Sequence, residues 1–218
     1  MRLRTLILVV AIASIIGALS GYAVIKLAFQ PSEEERPVET ISGINVLKWN
    51  RPVESLRVET SKGPMEIPVK GKVNVVVPQY VNCPDICHLE SLMMKYAMKK
   101  AIEEGLEDEV VWVTIDVDPW NGSMEAAVNY MESIAGELLG EIEWIWVLDD
   151  LDNMRRVYDA YTMAVERDNE TGLVTHTALF YIVDRNGVLV YIVQPNWDDI
   201  AGTGAVLWSK IKEVIQRD

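Results

Sequence analysis

The stretch VNCPDICHLE, residues 81–90, contains both cysteines of the chain and one of its two histidines. It follows the β-branched run Lys72–Tyr80 (KVNVVVPQY), which is typical of a buried central strand. Apolar residues at helical spacing come after it: Leu89, Leu92, Met93, Tyr96, Ala97 and Ala101. A buried strand that leads through two thiols into an amphipathic helix predicts that the centre of an α/β domain lies here.

Strands and helices alternate on both sides of this stretch. Four further strands are predicted from β-branched and aromatic runs: Ser55–Thr60, Met65–Val69, Val110–Asp116 and Trp144–Leu148. An Asn186-Gly187 turn predicts a hairpin between Thr177–Val183 and Val188–Val193. Helices are predicted after Ser123, from Leu151 to Tyr161, and from Leu207 to Ile215. The pattern indicates a mixed sheet with helices on both faces, of which the thioredoxin-like fold is one arrangement.

The N-terminal region has a different composition from the rest of the chain. Arg2 and Arg4 precede the uncharged run Thr5–Ile25, which is close to the roughly 20 residues that cross a bilayer as a helix. We therefore predict a membrane anchor over residues 1–29, with a cleaved secretory signal as the alternative. The basic residues in front of the run place the globular part outside the cytoplasm. A polar segment with two prolines follows, and we predict a linker over residues 30–52 and one domain over 53–218.

The negative net charge of the chain limits the classes of molecule that it is expected to bind. The chain carries a formal net charge of −13, and the predicted domain lacks the basic stripe that nucleic acid recognition needs. The sequence therefore excludes a nucleic-acid-binding role.

The two cysteines are the main chemical feature. Pro84 suits the first helical position, which would place Cys83 at or beside the helix N-cap. Cys83 and Cys87 would then share one helical face at i and i+4, close to the positive end of the helix dipole. Such a pair can serve as a structural disulfide, a redox switch or a metal clamp.

The spacing and the scarcity of other ligands favour some of these alternatives. Thiol–disulfide exchange enzymes of the thioredoxin type use Cys-x-x-Cys, whereas this chain has Cys-x-x-x-Cys. A structural zinc site needs about four ligands. Copper(I) accepts two thiolates and one imidazole, which His88 or His176 would supply. His176 lies just before the predicted hairpin, where the thioredoxin-like fold packs against the dithiol turn, while His88 would point away from the cysteine face.

Three motifs together resemble the Sco/SenC family of cytochrome oxidase assembly proteins. They are YVNCPDICHLE (residues 80–90), VTIDVDPWNGS (113–123) and VTHTALFYIVDRNGVLV (174–190), in the order and spacing of the family. The sequence departs from the family pattern at His88, where proline is usual, and at Trp120–Ser123, where Asp-Thr-Pro is usual. Asp116 and Asp118 in the second motif are interpreted as strand-end and turn residues.

The resemblance implies a thioredoxin-like domain behind a membrane anchor, with copper bound by Cys83, Cys87 and His176. It implies a metallochaperone that helps to build the dinuclear copper centre of cytochrome c oxidase subunit II at the extracytoplasmic side of the cell membrane. A copper donor protein and a thiol reductant would be further partners. The alternative function is a thiol–disulfide oxidoreductase that uses Cys83 and Cys87 as a redox dithiol on that subunit or another exported protein. A purely structural disulfide explains little, because so short a loop constrains the unfolded chain weakly.

Overall fold

The computed structural model describes residues 38–217. The predicted anchor, residues 1–29, and the first part of the predicted linker lie outside the described residues. Within residues 38–217, no helix combines the length and the hydropathy that crossing a bilayer requires.

A seven-stranded sheet forms the centre of the domain, in the order β1-β2-β11-β10-β5-β6-β7, and two small hairpins pair β3 with β4 and β8 with β9. The strands are β1 Val38–Ile41, β2 Ile44–Pro52, β3 Leu56–Val58, β4 Met65–Ile67, β5 Val73–Gln79, β6 Val110–Asp116, β7 Glu143–Val147, β8 Val165–Arg167, β9 Val174–His176, β10 Phe180–Val183 and β11 Val188–Gln194. Strands β5, β6 and β7 run parallel, whereas β10 pairs antiparallel with β5 and with β11. The sheet is therefore mixed, as the sequence predicts.

Among the residues that the structure describes, four α-helices and a short 3₁₀-helix connect the strands. They are α1 Cys87–Glu103, the 3₁₀-helix Glu107–Glu109, α2 Met124–Ala135, α3 Leu151–Tyr161 and α4 Ile200–Ile215. Side-chain oxygens cap three of the α-helices, because Ser123, Asp150 and Asp199 each accept a hydrogen bond from a backbone N–H of the first turn. The helix after Ser123 thus begins where the sequence predicts it.

Strand β5 lies between two hydrophobic cores. All seven of its residues are buried, which explains its nearly continuous apolar sequence. Val75 and Val77 face the core that β5 shares with α1, α2 and α4, whereas Val76 faces the core that it shares with α3. Helices cover both faces of the sheet, and this prediction is confirmed.

The predicted linker was too long. Residues Val38–Pro52, which we assigned to it, form β1 and β2 and pair with each other and with β11. Ser42 and Gly43 both have positive φ in the tight turn between the two strands. The buried Ile44 and Val46 alternate with more exposed residues. This alternation is short and is followed by polar residues, so the sequence pattern does not predict the strand.

The region before the last hairpin also differs from the prediction. The strand predicted over Thr177–Val183 begins only at Phe180. Residues Val165–His176 form the β8–β9 hairpin, whose strands are too short to be predicted from the sequence pattern and in which Val165 pairs with His176. This second hairpin lies outside the main sheet and carries the histidine of the predicted site.

Candidate metal centre

The dithiol turn, residues 81–87, follows directly from the C-terminal end of β5. The backbone N–H of Cys83 donates a hydrogen bond to the Tyr80 carbonyl at 3.2 Å, which closes the start of the turn. Helix α1 begins at Cys87 with Ile86 as its N-cap. The expectation that Pro84 is the first helical residue is therefore wrong, and a non-helical turn, not an i,i+4 helical face, brings the two cysteines together.

Three predicted ligand atoms converge at this turn. The sulfurs of Cys83 and Cys87 and a ring nitrogen of His176 all lie within 4.8 Å of one another. The Sγ atom of Cys87 is 3.7 Å from Nε2 of His176. Both cysteines are free thiols, with Cys87 buried and Cys83 partly exposed. The structure thus brings together the three residues that the resemblance implies as ligands.

The β8–β9 hairpin orients the imidazole. Nδ1 of His176 is 3.0 Å from the carbonyl oxygen of Thr177, and a carbonyl oxygen only accepts hydrogen bonds. The ring proton is therefore on Nδ1, which leaves the Nε2 lone pair directed toward the sulfurs. The ring of Tyr80 meets the imidazole edge to face, with centroids 6.0 Å apart. This imidazole is in the tautomer that a metal ligand requires.

The pKa values of the two thiols are shifted in opposite directions. A hydrogen bond from the Cys87 thiol is the main cause that lowers the pKa of Cys83 to about 3, against the opposing effect of burial. The same hydrogen bond, together with burial, raises the pKa of Cys87. The pair therefore holds its first thiolate on Cys83, the more exposed sulfur.

A buried polar layer lies beneath the dithiol turn. Gln79, Glu90 and Ser91 are all fully buried, and the Gln79 side chain contacts both of the others. The hydroxyl of Tyr130 extends this layer through a 3.0 Å hydrogen bond with Ser91. Burial raises the pKa of Glu90 well above its usual range. None of these residues was identified from the sequence, because a buried hydrogen-bonded network has no characteristic spacing.

The other polar residues considered in the sequence do not join the metal-ligand cluster. His88 is exposed on α1. Asp116 accepts hydrogen bonds from the Trp146 indole at 2.9 Å and from the backbone N–H of Asp118 at 2.8 Å. The carboxylate of Asp118 in turn accepts from Asn121. The two aspartates therefore have the structural roles that the sequence suggested.

The donor set is chemically selective. Two sulfurs and one imidazole nitrogen are soft to borderline ligands. Copper binds well to a set of three such ligands, whereas a closed structural zinc site needs about four. A shallow hollow beside Cys83, bordered by Pro84, Leu173 and His176, opens this site to the surface. The arrangement can hold one soft metal ion and leave it accessible to another molecule.

Comparison with known proteins identifies the family. Residues 62–214 match the SCO1/SenC family model. The chain is 26% identical over 162 residues to Protein SCO1 homolog 1, mitochondrial, of Arabidopsis thaliana, covering 74% of this chain and 46% of that protein. The chain spans about half the length of the curated relatives it matches.

Solved structures share the fold. A SCO1/SenC family lipoprotein from Bacillus anthracis superposes with a TM-score of 0.63 at 22% identity, over 77% of this chain and 97% of that chain. Arabidopsis thaliana ScoI with copper bound gives 0.60 at 18% identity, over 75% and 98%. BsSco, described with a disulfide switch as a member of the Sco family of cytochrome c oxidase assembly proteins, gives 0.58 at 18%, over 77% and 95%. At these identities the likeness establishes the thioredoxin-like Sco fold.

Proposed function

Because the chain belongs to the SCO1/SenC family, we propose that it binds one copper ion through Cys83, Cys87 and His176 and assists cytochrome c oxidase assembly. The observation that carries the proposal is the convergence of two sulfurs and an imidazole nitrogen within 4.8 Å, on two segments separated by 89 residues of chain. Copper-bound structures among its relatives support the choice of metal.

The site is largely formed before any metal arrives. The hydrogen bond from Nδ1 of His176 fixes the ring, and Cys87 is held in the core. Preorganised ligands lose little conformational entropy on binding, which strengthens the metal complex. The partly exposed Cys83 at the edge of the hollow gives a recipient thiol access to the metal. A chaperone needs both properties, because it must bind copper selectively and release it to a partner.

The recipient that we propose is subunit II of cytochrome c oxidase, in which the dinuclear copper centre is assembled. The uncharged run Thr5–Ile25 supports a single-pass anchor in the cell membrane, with the described domain on the extracytoplasmic side. An anchor would keep the domain near the oxidase and raise its effective concentration there.

Copper titration tests the proposal. The reduced full-length chain and its Cys83→Ser, Cys87→Ser and His176→Ala variants are titrated with copper(I) against a competing chelator. We expect one copper per wild-type chain and a large loss of affinity in each variant. Unchanged affinity in all three variants would falsify the proposal.

A second function, a thiol–disulfide oxidoreductase, is favoured by the pairing of a partly exposed Cys83, beside an open hollow, with a buried Cys87. The Cys83 thiolate would attack a partner disulfide and form a mixed disulfide, releasing one partner thiolate. Cys87 would then attack Cys83, which releases the second partner thiolate and leaves this chain oxidised by two electrons. An oxidised subunit II peptide is the test substrate, and His176→Ala should keep the exchange rate if this is the main function. Failure of the wild-type dithiol to reduce the peptide would remove this alternative.

A further inference from the structure

Gln79 is an uncharged polar side chain that is fully buried at the C-terminal end of β5. Burying an amide without hydrogen-bond partners destabilises the folded state, so the contacts of the Gln79 amide must compensate. The hydrogen bonds of this amide reach Cys87, Glu90 and Ser91 in the first turns of α1. Its role is therefore concentrated at the dithiol end of the strand.

The shortest contact is to a proposed metal ligand. Nε2 of Gln79 donates to the backbone carbonyl of Cys87 at 2.7 Å. Nε2 also lies 3.1 Å from Oγ of Ser91, and Oε1 of Gln79 accepts from the same hydroxyl at 3.2 Å. A longer contact of 3.4 Å reaches the carboxyl group of Glu90. The amide thus contacts Cys87 and Ser91, one helical turn apart in α1.

The backbone of Gln79 is itself fixed by the sheet. Its carbonyl accepts a hydrogen bond from the Val117 N–H at 3.0 Å, beyond the last residue of β6. The Gln79 side chain therefore links the end of β5, which the sheet holds in place, to Cys87, which supplies the buried sulfur. Cys83 has no such anchor from this amide, since it lies in the turn before the helix.

We infer that Gln79 is a positioning residue, which holds Cys87 in register with His176 through its hydrogen bond to the Cys87 carbonyl. This inference rests on the proposed copper site and adds a determinant of its geometry. Without the amide, the first turn of α1 would be free to shift relative to β5. A ligand displaced by a fraction of an ångström changes both the strength and the spectrum of a metal–thiolate complex.

The chain offers a matched control at the other end of the same strand. Asn74 is also fully buried on β5, and its side chain bonds the backbone of Val69 and Lys72 at 2.7–2.9 Å. It lies far along the strand from the dithiol turn. Gln79→Met and Asn74→Leu each replace a buried amide by an apolar side chain of similar shape. Each substitution therefore removes a similar number of buried side-chain hydrogen bonds.

The experiment compares these variants in the full-length chain loaded with copper(II). The readouts are the sulfur-to-copper charge-transfer absorption, the copper hyperfine splitting in the electron paramagnetic resonance spectrum, and copper affinity by chelator competition. We expect Gln79→Met to shift the absorption and the splitting and to lower affinity about tenfold. Asn74→Leu should lower the melting temperature while keeping the wild-type spectrum and affinity.

Ser91→Ala provides a second variant that removes one partner of the Gln79 amide with little change in volume. We expect a spectral shift in the same direction as for Gln79→Met, and smaller. A wild-type spectrum in both Gln79→Met and Ser91→Ala overturns the inference, as does an equal shift in Asn74→Leu. A wild-type chain that binds no copper overturns the proposed function instead. In that case the reduction potential of the dithiol in Gln79→Met, compared with Asn74→Leu, decides whether the amide positions Cys87.

Discussion

The dithiol turn and the β8–β9 hairpin form the two sides of the candidate site, and they are held in different ways. The dithiol turn connects β5 to α1, and its Cys87 is only 1% exposed. The hairpin lies outside the main sheet, and all three residues of β8 are at least partly exposed. A backbone bond from Thr177 to Ala164 at 2.9 Å closes its base. One side of the site belongs to the core, whereas the other is a small hairpin in which Val174 is the one buried strand residue.

Because of this difference, substitutions on the two sides should have different effects on copper affinity and on the stability of the fold. Changes on the buried side should affect copper binding and the stability of the fold together, because the same atoms serve both. Changes at the partly exposed residues of the hairpin should affect copper binding more than the stability of the fold, because small exposed elements open locally at little cost to the rest of the fold. The site therefore combines a sulfur donor in the core with an imidazole on a small hairpin outside the main sheet.

The largest expected effect comes from removing one ligand on each side. We expect Cys87→Ala to lower copper affinity at least about 1000-fold, or roughly 4 kcal/mol. The lost sulfur also leaves a small void in the core, which we expect to lower the free energy of unfolding by about 1 kcal/mol. His176→Ala should lower copper affinity about 100-fold and change the free energy of unfolding of the metal-free protein by less than about 0.5 kcal/mol.

Chelator competition and urea unfolding of the metal-free reduced protein measure the two quantities. Equal destabilisation by the two substitutions would remove the distinction between the two sides of the site.

The next effect is a pH dependence on the buried side. Asp116 borders a small cavity with Tyr80 and Asn82, and burial raises its pKa to about 6 from an ordinary value of 3.8. A raised carboxyl pKa means that the folded state holds the proton more tightly. Stability should therefore fall as the pH rises from about 4 to about 6, by up to roughly 3 kcal/mol. Asp116→Asn should remove this part of the slope.

Urea unfolding of the metal-free protein at several pH values between 4 and 8 measures the slope. A wild-type slope in Asp116→Asn would contradict the assignment of this pH dependence to Asp116.

A smaller effect is expected from the turn of the hairpin. Gly172 has φ +75°, and a Cβ atom there would lie 3.4 Å from the Arg167 guanidinium. Gly172→Val should strain the turn by about 1–2 kcal/mol and loosen the strand that carries His176. We expect copper affinity to fall about fivefold. Gly140→Val is the control, because no atom lies within 4 Å of a Cβ at Gly140 and its φ is not positive. Equal losses of affinity in the two variants would show that the turn does not matter.

The smallest effect on copper affinity is expected at the contact between Tyr80, next to the dithiol turn, and His176 on the hairpin. Tyr80 precedes the dithiol turn and meets the His176 ring edge to face. Such a contact contributes about 0.5–1.5 kcal/mol beyond burial. Tyr80→Leu should therefore weaken copper binding about threefold, measured by the same competition assay, while Tyr80→Phe keeps the ring and should weaken it less. A Tyr80→Phe variant as weak as Tyr80→Leu would assign the effect to the hydroxyl group instead of the ring.

The same contrast explains how much the sequence could predict. The strand of the buried side could be predicted because β5 is a continuous apolar run. The buried face of α1 could be predicted only in part, because Leu92 is exposed whereas Glu90 and Ser91 are buried. The hairpin was missed because β8 and β9 have three residues each, too few to show alternation. The sequence Asp168–Gly172 between them is a turn signal that would have located it. His176 was identified through the family resemblance, whereas its orientation depends on the bond to Thr177, a contact that only the fold reveals.

The register of the dithiol turn was predicted less well for a related reason. Pro84 favours a helix start by its local geometry, yet α1 begins three residues later at Cys87. The buried Gln79 amide bonds the Cys87 carbonyl, which favours a helix start at that residue. This contact between a strand end and the helix that follows it overrides local propensity, and the sequence pattern does not reveal it.

X-ray absorption spectroscopy at the copper edge tests the central claim most directly. The copper(I)-loaded wild-type chain should show two sulfur neighbours and one imidazole nitrogen, and His176→Ala should lose the nitrogen while keeping both sulfurs. A wild-type spectrum with sulfur neighbours alone, or an imidazole signal that survives in His176→Ala, would contradict a site made from these three side chains.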